Sequence, residues 1–151
     1  MKTVICNLFL IITILQVLEA FRVFYFNKEE KDCIKQLDAD EDKIENLYLR
    51  YTTPENDTQF NHFMECLWKK LEFLTEDGNI NYEKMKNSPQ VLRKTQEDNI
   101  AILIKIYKLT FDAVSKCESK HTLLKADTAG ETAVKVQNCI LSNFQEATKH
   151  M

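Results

Sequence analysis

The side chains able to do chemistry in this chain are five cysteines, three histidines, and scattered carboxylates and tyrosines. His62 lies four residues before Cys66, and His121 four after Cys117. On helices each pair shares a face, so a Cys2His2 zinc site is geometrically conceivable. An oxidising compartment would turn the same cysteines into disulfides. The acidic run Asp38-Ala39-Asp40-Glu41-Asp42 lacks the twelve-residue pattern, central glycine and final glutamate of a calcium loop. It reads as a helix start, where carboxylates complement the dipole. The sequence contains no G-x-S-x-G, no glycine-rich phosphate loop and no H-E-x-x-H. An enzyme is therefore the last choice, and neither a cofactor nor a metal is expected.

The elements that must position these residues are constrained by composition. In 151 residues there are 20 basic and 23 acidic side chains, a net charge of −3 without a basic footprint for nucleic acid. Two glycines and two prolines are too few for a β-sandwich or a glycine-rich nucleotide fold. A hydrophobic share of 44% against 28% charged argues for a globular, mostly helical chain. Residues 1–20 read as a secretory signal peptide: Lys2, an apolar run from Val4 to Leu18, then Ala20 before Phe21. A membrane anchor competes, but the run is short and charges follow soon after it. Removing 1–20 takes away Cys6 and leaves Cys33, Cys66, Cys117 and Cys139. Four cysteines in an extracellular chain should pair, in any of three ways. Asn56-Asp57-Thr58 is an acceptor triplet for N-glycosylation. Residues 21–151 then form one domain.

Apolar periodicity marks the helices. Glu29 to Leu37 has Cys33, Ile34 and Leu37 on one side, and Ile44, Leu47, Tyr48 and Tyr51 repeat up to Pro54. Phe60, Phe63, Met64, Leu67, Leu71 and Leu74 share a face, with Asp57 or Thr58 as cap and Gly78 in the closing turn. Ile80, Tyr82 and Met85 follow in a short element. From Pro89 a long helix carries two apolar stripes, one through Ile104, Tyr107, Phe111 and Val114, the other through Ile102, Ile106 and Leu109. A helix apolar on two sides is expected to be central, with a strand as the alternative that its β-branched content leaves open. A last helix carries Ala133, Val136, Ile140 and Phe144, with Cys139 beside them.

Five or six helices held by two disulfides can surround an internal apolar cavity, the usual form of a small-molecule site. The candidate lining is Leu47, Tyr51, Phe63, Leu67, Phe73, Tyr82, Tyr107, Phe111, Val136 and Ile140. The hydroxyls of Tyr48, Tyr51, Tyr82 and Tyr107 are candidate polar groups. For each aromatic, plain core packing competes with a place in a pocket.

These residues resemble the insect odorant-binding protein superfamily, the pheromone and general odorant-binding group. That family has a signal peptide, six helices and six cysteines. In its frame Cys33 stands as the first cysteine, Cys66 as the third, Cys117 as the fourth and Cys139 as the sixth. His62 and Gly130 occupy the second and fifth positions. The two missing cysteines are a pair that bond each other, the mark of the Minus-C type. The resemblance implies disulfides Cys33–Cys66 and Cys117–Cys139. The segment Glu65 to Tyr82 also looks like the family's third helix and turn. The 50 residues between Cys66 and Cys117 exceed the family's usual spacing.

The resemblance implies a secreted, non-enzymatic carrier of small hydrophobic ligands, with no membrane span after signal removal. Short D7-related salivary proteins show a similar stretch around Asp32-Cys33, Leu49-Arg50-Tyr51 and Leu71 to Tyr82. They imply an alternative: capture of amines or lipid mediators. Amine capture needs carboxylates facing aromatic rings, for which Glu65, Glu72 and Asp112 are candidates. A third possibility is a secreted helical protein that binds a protein partner.

Overall fold

Residues 25–50, 52–92 and 100–149 are described by the computed structural model. The stretch read as a signal peptide lies outside them, as does Tyr51. Among the described residues the chain forms seven α-helices and a 3-10 turn. These are α1 (Lys28–Gln36), α2 (Glu41–Tyr48), α3 (Thr58–Lys70), α4 (Tyr82–Lys86), the 3-10 turn Pro89–Leu92, α5 (Ile100–Glu118), α6 (His121–Leu124) and α7 (Ala129–Thr148).

Each start has a local chemical cause. Asn27 caps α1 in a capping box: its Oδ1 accepts the Glu30 N–H at 2.9 Å, and Glu30 Oε2 accepts the Asn27 N–H at 2.8 Å. Asp40, within the acidic run, caps α2 through the Lys43 N–H at 3.0 Å. Asp57 caps α3 through the Phe60 N–H at 3.0 Å. Thr128 caps α7 by accepting the Glu131 N–H at 3.1 Å.

Two helix ends depart from what the apolar stripes predict. The stripe from Phe60 runs on to Leu74, yet α3 stops at Lys70. Glu72 there adopts a positive φ of 60°. The Phe73 N–H reaches back to the Trp68 carbonyl at 2.8 Å, and the Glu72 N–H to Lys69 at 3.1 Å. This is a Schellman stop built without glycine. Asp38, φ 47°, ends α1 in the same way, with the Ala39 N–H on the Ile34 carbonyl at 3.0 Å. Leu74 instead forms an isolated antiparallel bridge with Ile80 around a turn containing Gly78, φ 75°. The second helix likewise ends early, at Tyr48.

Helices α3 and α7 pack on each other, α5 lies against α7 and α4, and α1 lies against α3. Disulfides clamp two of these contacts: Cys33–Cys66 joins α1 to α3, and Cys117–Cys139 joins α5 to α7, with Cα separations of 5.8 and 6.0 Å. These are the pairs the family frame implies. The loop before α3 is tied to α7 by Thr53 and Asn138, which exchange two hydrogen bonds of 2.9 Å.

The long helix is apolar on two sides, but it is not enclosed on both. Thr110, Ala113, Val114 and Cys117 are buried, while Ile104, Tyr107 and Phe111 are 67%, 45% and 41% exposed. The face carrying Val114 and Cys117 meets α7. Tyr107 and Phe111, on the same sequence stripe as Val114, instead face outward, where Asn87 and Lys86 at the tip of α4 reach them, while Ile106 and Leu109 of the second stripe are partly buried against the core.

Candidate functional site

The interior is one apolar cluster spanning α1, α2, α3, α5 and α7. Leu47, Phe63, Leu67, Phe73, Val136 and Ile140 all belong to it and are buried. The amphipathic faces of α3 and α7 bring these residues together, because both helices turn their apolar stripes toward each other. Tyr82, at the start of α4, is half-buried and packs against the cluster edge. Tyr107 and Phe111 are not brought in, since they face outward from α5. The Tyr107 hydroxyl donates to Asn87 Oδ1 at 3.3 Å, and Lys86 Nζ sits 5.8 Å from the centre of the Phe111 ring. Tyr51 lies outside the described residues.

Several cluster members were not singled out as pocket residues from sequence. Met85, Val91, Leu92, Val114 and Leu141 are each buried within it. Met85 and Val114 fall on the periodic pattern. Val91 and Leu92 sit in the 3-10 turn, where no helical period exists to reveal them.

Aromatic rings line one end of the interior. Phe63 stands edge-on to Tyr48 at 5.8 Å and to Phe26 at 6.3 Å, and Phe60 lies 5.8 Å from Phe63. Trp68 meets Phe73 edge-on at 5.9 Å. Such pairs add specific geometry to plain burial. Burial pushes the Tyr48 hydroxyl pKa up to about 12. Asn61, on the side of α3 that meets α7, donates through Nδ2 to the Glu55 carbonyl at 2.9 Å, while its buried Oδ1 has no hydrogen-bond partner among the described residues.

A cleft of about 430 Å³ opens at the surface between the Gly78 turn and the loop into α7. Asp77, Tyr82, Glu118, His121, Lys125, Asp127 and Thr132 are among its walls. Lys86 Nζ bonds Glu118 Oε2 at 2.7 Å. Burial, and then the Glu118 charge, raise the Tyr82 pKa above its ordinary value. The sequence carries one signal for this wall: Thr128 and Glu131 have the S/T-x-x-E spacing that starts a helix. Two further concavities, of about 460 and 590 Å³, are also open to the surface.

The carboxylates considered for amine capture lie outside the interior. Glu65 pairs with Lys69 at 2.7 Å, Glu72 pairs with Lys84, and Asp112 is exposed. All four cysteines beyond position 20 are in disulfides, so the Cys2His2 set has no thiolates to offer a metal. His62 and His121 are exposed. Among the described residues no helix is long and apolar enough to cross a membrane.

Comparison with known proteins bears on this architecture. The PBP/GOBP family model matches residues 25–143. Among solved structures, pheromone binding protein 3 of Epiphyas postvittana is similar, with a TM-score of 0.54 at 20% identity. The match covers 80% of this chain and 97% of that one. At this identity the likeness is one of fold. No curated protein matches the chain.

Proposed function

The chain belongs to the PBP/GOBP family, and from that membership we propose that it is a secreted carrier that binds a small hydrophobic ligand without altering it. The observation that carries this reading is the apolar cluster clamped by two disulfides. Leu47, Phe63, Leu67, Phe73, Val136 and Ile140 form its ligand-facing part, with Tyr82 at the edge. Removing apolar ligand surface from water contributes roughly 25 cal/mol per Å², less the cost of ordering the ligand and its surroundings. Residues 1–20 serve as the secretory leader, and residues 21–151 are the carrier domain. The frame is of the Minus-C type, with His62 and Gly130 at the two vacated cysteine positions.

The reading is tested with an environment-sensitive apolar fluorophore and the folded, disulfide-bonded chain. Saturable uptake, reversed by long-chain alcohols or terpenoids, is the expected result. A chain that takes up no apolar probe would overturn it. The surface cleft favours a second reading, because it sets the Tyr82 ring among Asp77, Glu118 and Asp127. Those groups suit a protonated amine. Calorimetric binding of serotonin or histamine without apolar-probe uptake would select that reading.

A further inference from the structure

We propose that Asn56 is a site of N-linked glycosylation, resting on the reading of the chain as secreted. The triplet Asn56-Asp57-Thr58 is the one N-x-Ser/Thr sequence in the chain. Such a triplet is used only where the secretory machinery can reach it and where the finished fold can leave the sugar outside. The first condition follows from the secretory reading, and the second is met here. Asn56 lies in the turn between α2 and α3 and is exposed. Thr58, whose hydroxyl the acceptor sequence requires, is the first residue of α3 and is also exposed.

The middle residue, Asp57, is engaged elsewhere. Its carboxylate accepts the Phe60 N–H at 3.0 Å and pairs with Lys43 at 2.8 Å. The turn is held from both sides, by the Asn61 Nδ2 bond to the Glu55 carbonyl at 2.9 Å and by the Thr53–Asn138 pair. Asn56 is therefore presented from a fixed turn whose anchoring bonds use its neighbours. A glycan there displaces no core residue.

The substrate is a lipid-pyrophosphate-linked oligosaccharide. The Asn56 side-chain nitrogen bonds to the sugar's anomeric carbon, and the bond from that carbon to the pyrophosphate oxygen breaks. The lipid pyrophosphate leaves with the electron pair. The amide nitrogen gives up one proton to a base of the transferase. No oxidant or reductant is involved.

The full chain is expressed in insect cells, once with its own residues 1–20 and once with a borrowed cleavable leader in their place. Intact mass is read before and after peptide-N-glycosidase. The expected result is a mass excess that the glycosidase removes, that maps to position 56, and that is lost in Asn56→Gln and Thr58→Ala but kept in Thr58→Ser. A chain carried in by the borrowed leader that shows no removable mass overturns the proposal. Retention inside the cell only with its own leader would instead count against the secretory reading and leave the site standing.

Discussion

Gly130 lies against the backbone of Asn61 so closely that a Cβ built on it would sit 2.2 Å from the Asn61 carbonyl oxygen. The first turn of α7 thus rests on α3 with no side chain between them. The proposed Minus-C reading would put its two absent cysteines at Gly130 and at His62, the neighbour of Asn61, so this glycine contact marks the junction to which that reading refers. Gly130→Ala is expected to destabilise the fold by about 1–3 kcal/mol, because neither backbone can yield without shifting a packed helix. Urea titration would check this, and an unchanged midpoint would mean that the helices separate freely.

A second prediction concerns the glycine-free stop of α3. A left-handed conformation costs an L-residue roughly 1–2 kcal/mol, part of which a glycine gives back as greater freedom in the unfolded chain. Glu72→Gly should therefore raise stability by about 0.5–1 kcal/mol relative to Glu72→Ala. Both variants lose the exposed ion pair with Lys84, so thermal melts of the two compare the backbone alone. Equal melting temperatures would show that position 72 stores no strain.

The disulfides close loops of 33 and 22 residues. The chain-entropy model assigns about 3–4 kcal/mol to each. The double variant Cys117→Ser, Cys139→Ser should lower the unfolding free energy by about that amount in urea titration. Peptide mapping of the native chain should recover Cys33 joined to Cys66; finding it joined to Cys117 or Cys139 would sink the assignment.

Asp57 should contribute to acid sensitivity. The hydrogen bond from Lys43 lowers its pKa, burial opposes this, and the Phe60 N–H lowers it further. A depressed folded pKa contributes stability above the unfolded value, near about 4, and that contribution is lost as pH falls through the folded value. Asp57→Asn keeps the helix cap and removes the charge. Between about pH 5 and 2 its stability should fall less steeply than that of the native chain. Parallel slopes in urea melts across that range would refute the assignment.

Tyr48 predicts the opposite, alkaline limit. Its pKa, raised by burial to about 12, makes a contribution that is complete below the ordinary tyrosine value of about 10 and is lost as pH rises toward the folded value. Tyr48→Phe should remove this part of the alkaline loss, as read by circular dichroism against pH. The same approach separates interior from surface in ligand binding: Phe63→Ala should weaken apolar-probe uptake, whereas Tyr107→Ala, facing outward from α5, should leave it unchanged.

Much of this protein was determined by the sequence alone. The starts of α2 and α3 were legible because a cap needs only one oxygen-bearing side chain at the right place, as at Asp40 and Asp57, whereas Pro89, read as the start of the long helix, opens a 3-10 turn instead. The stripes of α3 and α7 were legible because burial imposes a 3.6-residue period. The pairing of Cys33 with Cys66 and Cys117 with Cys139 followed from the family frame, while the residues alone left three connectivities open.

Other features only the tertiary structure decided. The stop at Glu72 carries no local mark, because hydrogen bonds across the helix end hold a residue that seldom adopts a positive φ. The two stripes of α5 look equally apolar in sequence, but the structure divides the first of them: beside α7, tied to α5 through Cys117–Cys139, Val114 is buried, while Phe111 on the same stripe lies outside. Gly130 showed only a missing side chain. Its meaning depends on Asn61, which is far away in sequence and close in space, and a periodic pattern cannot encode that distance.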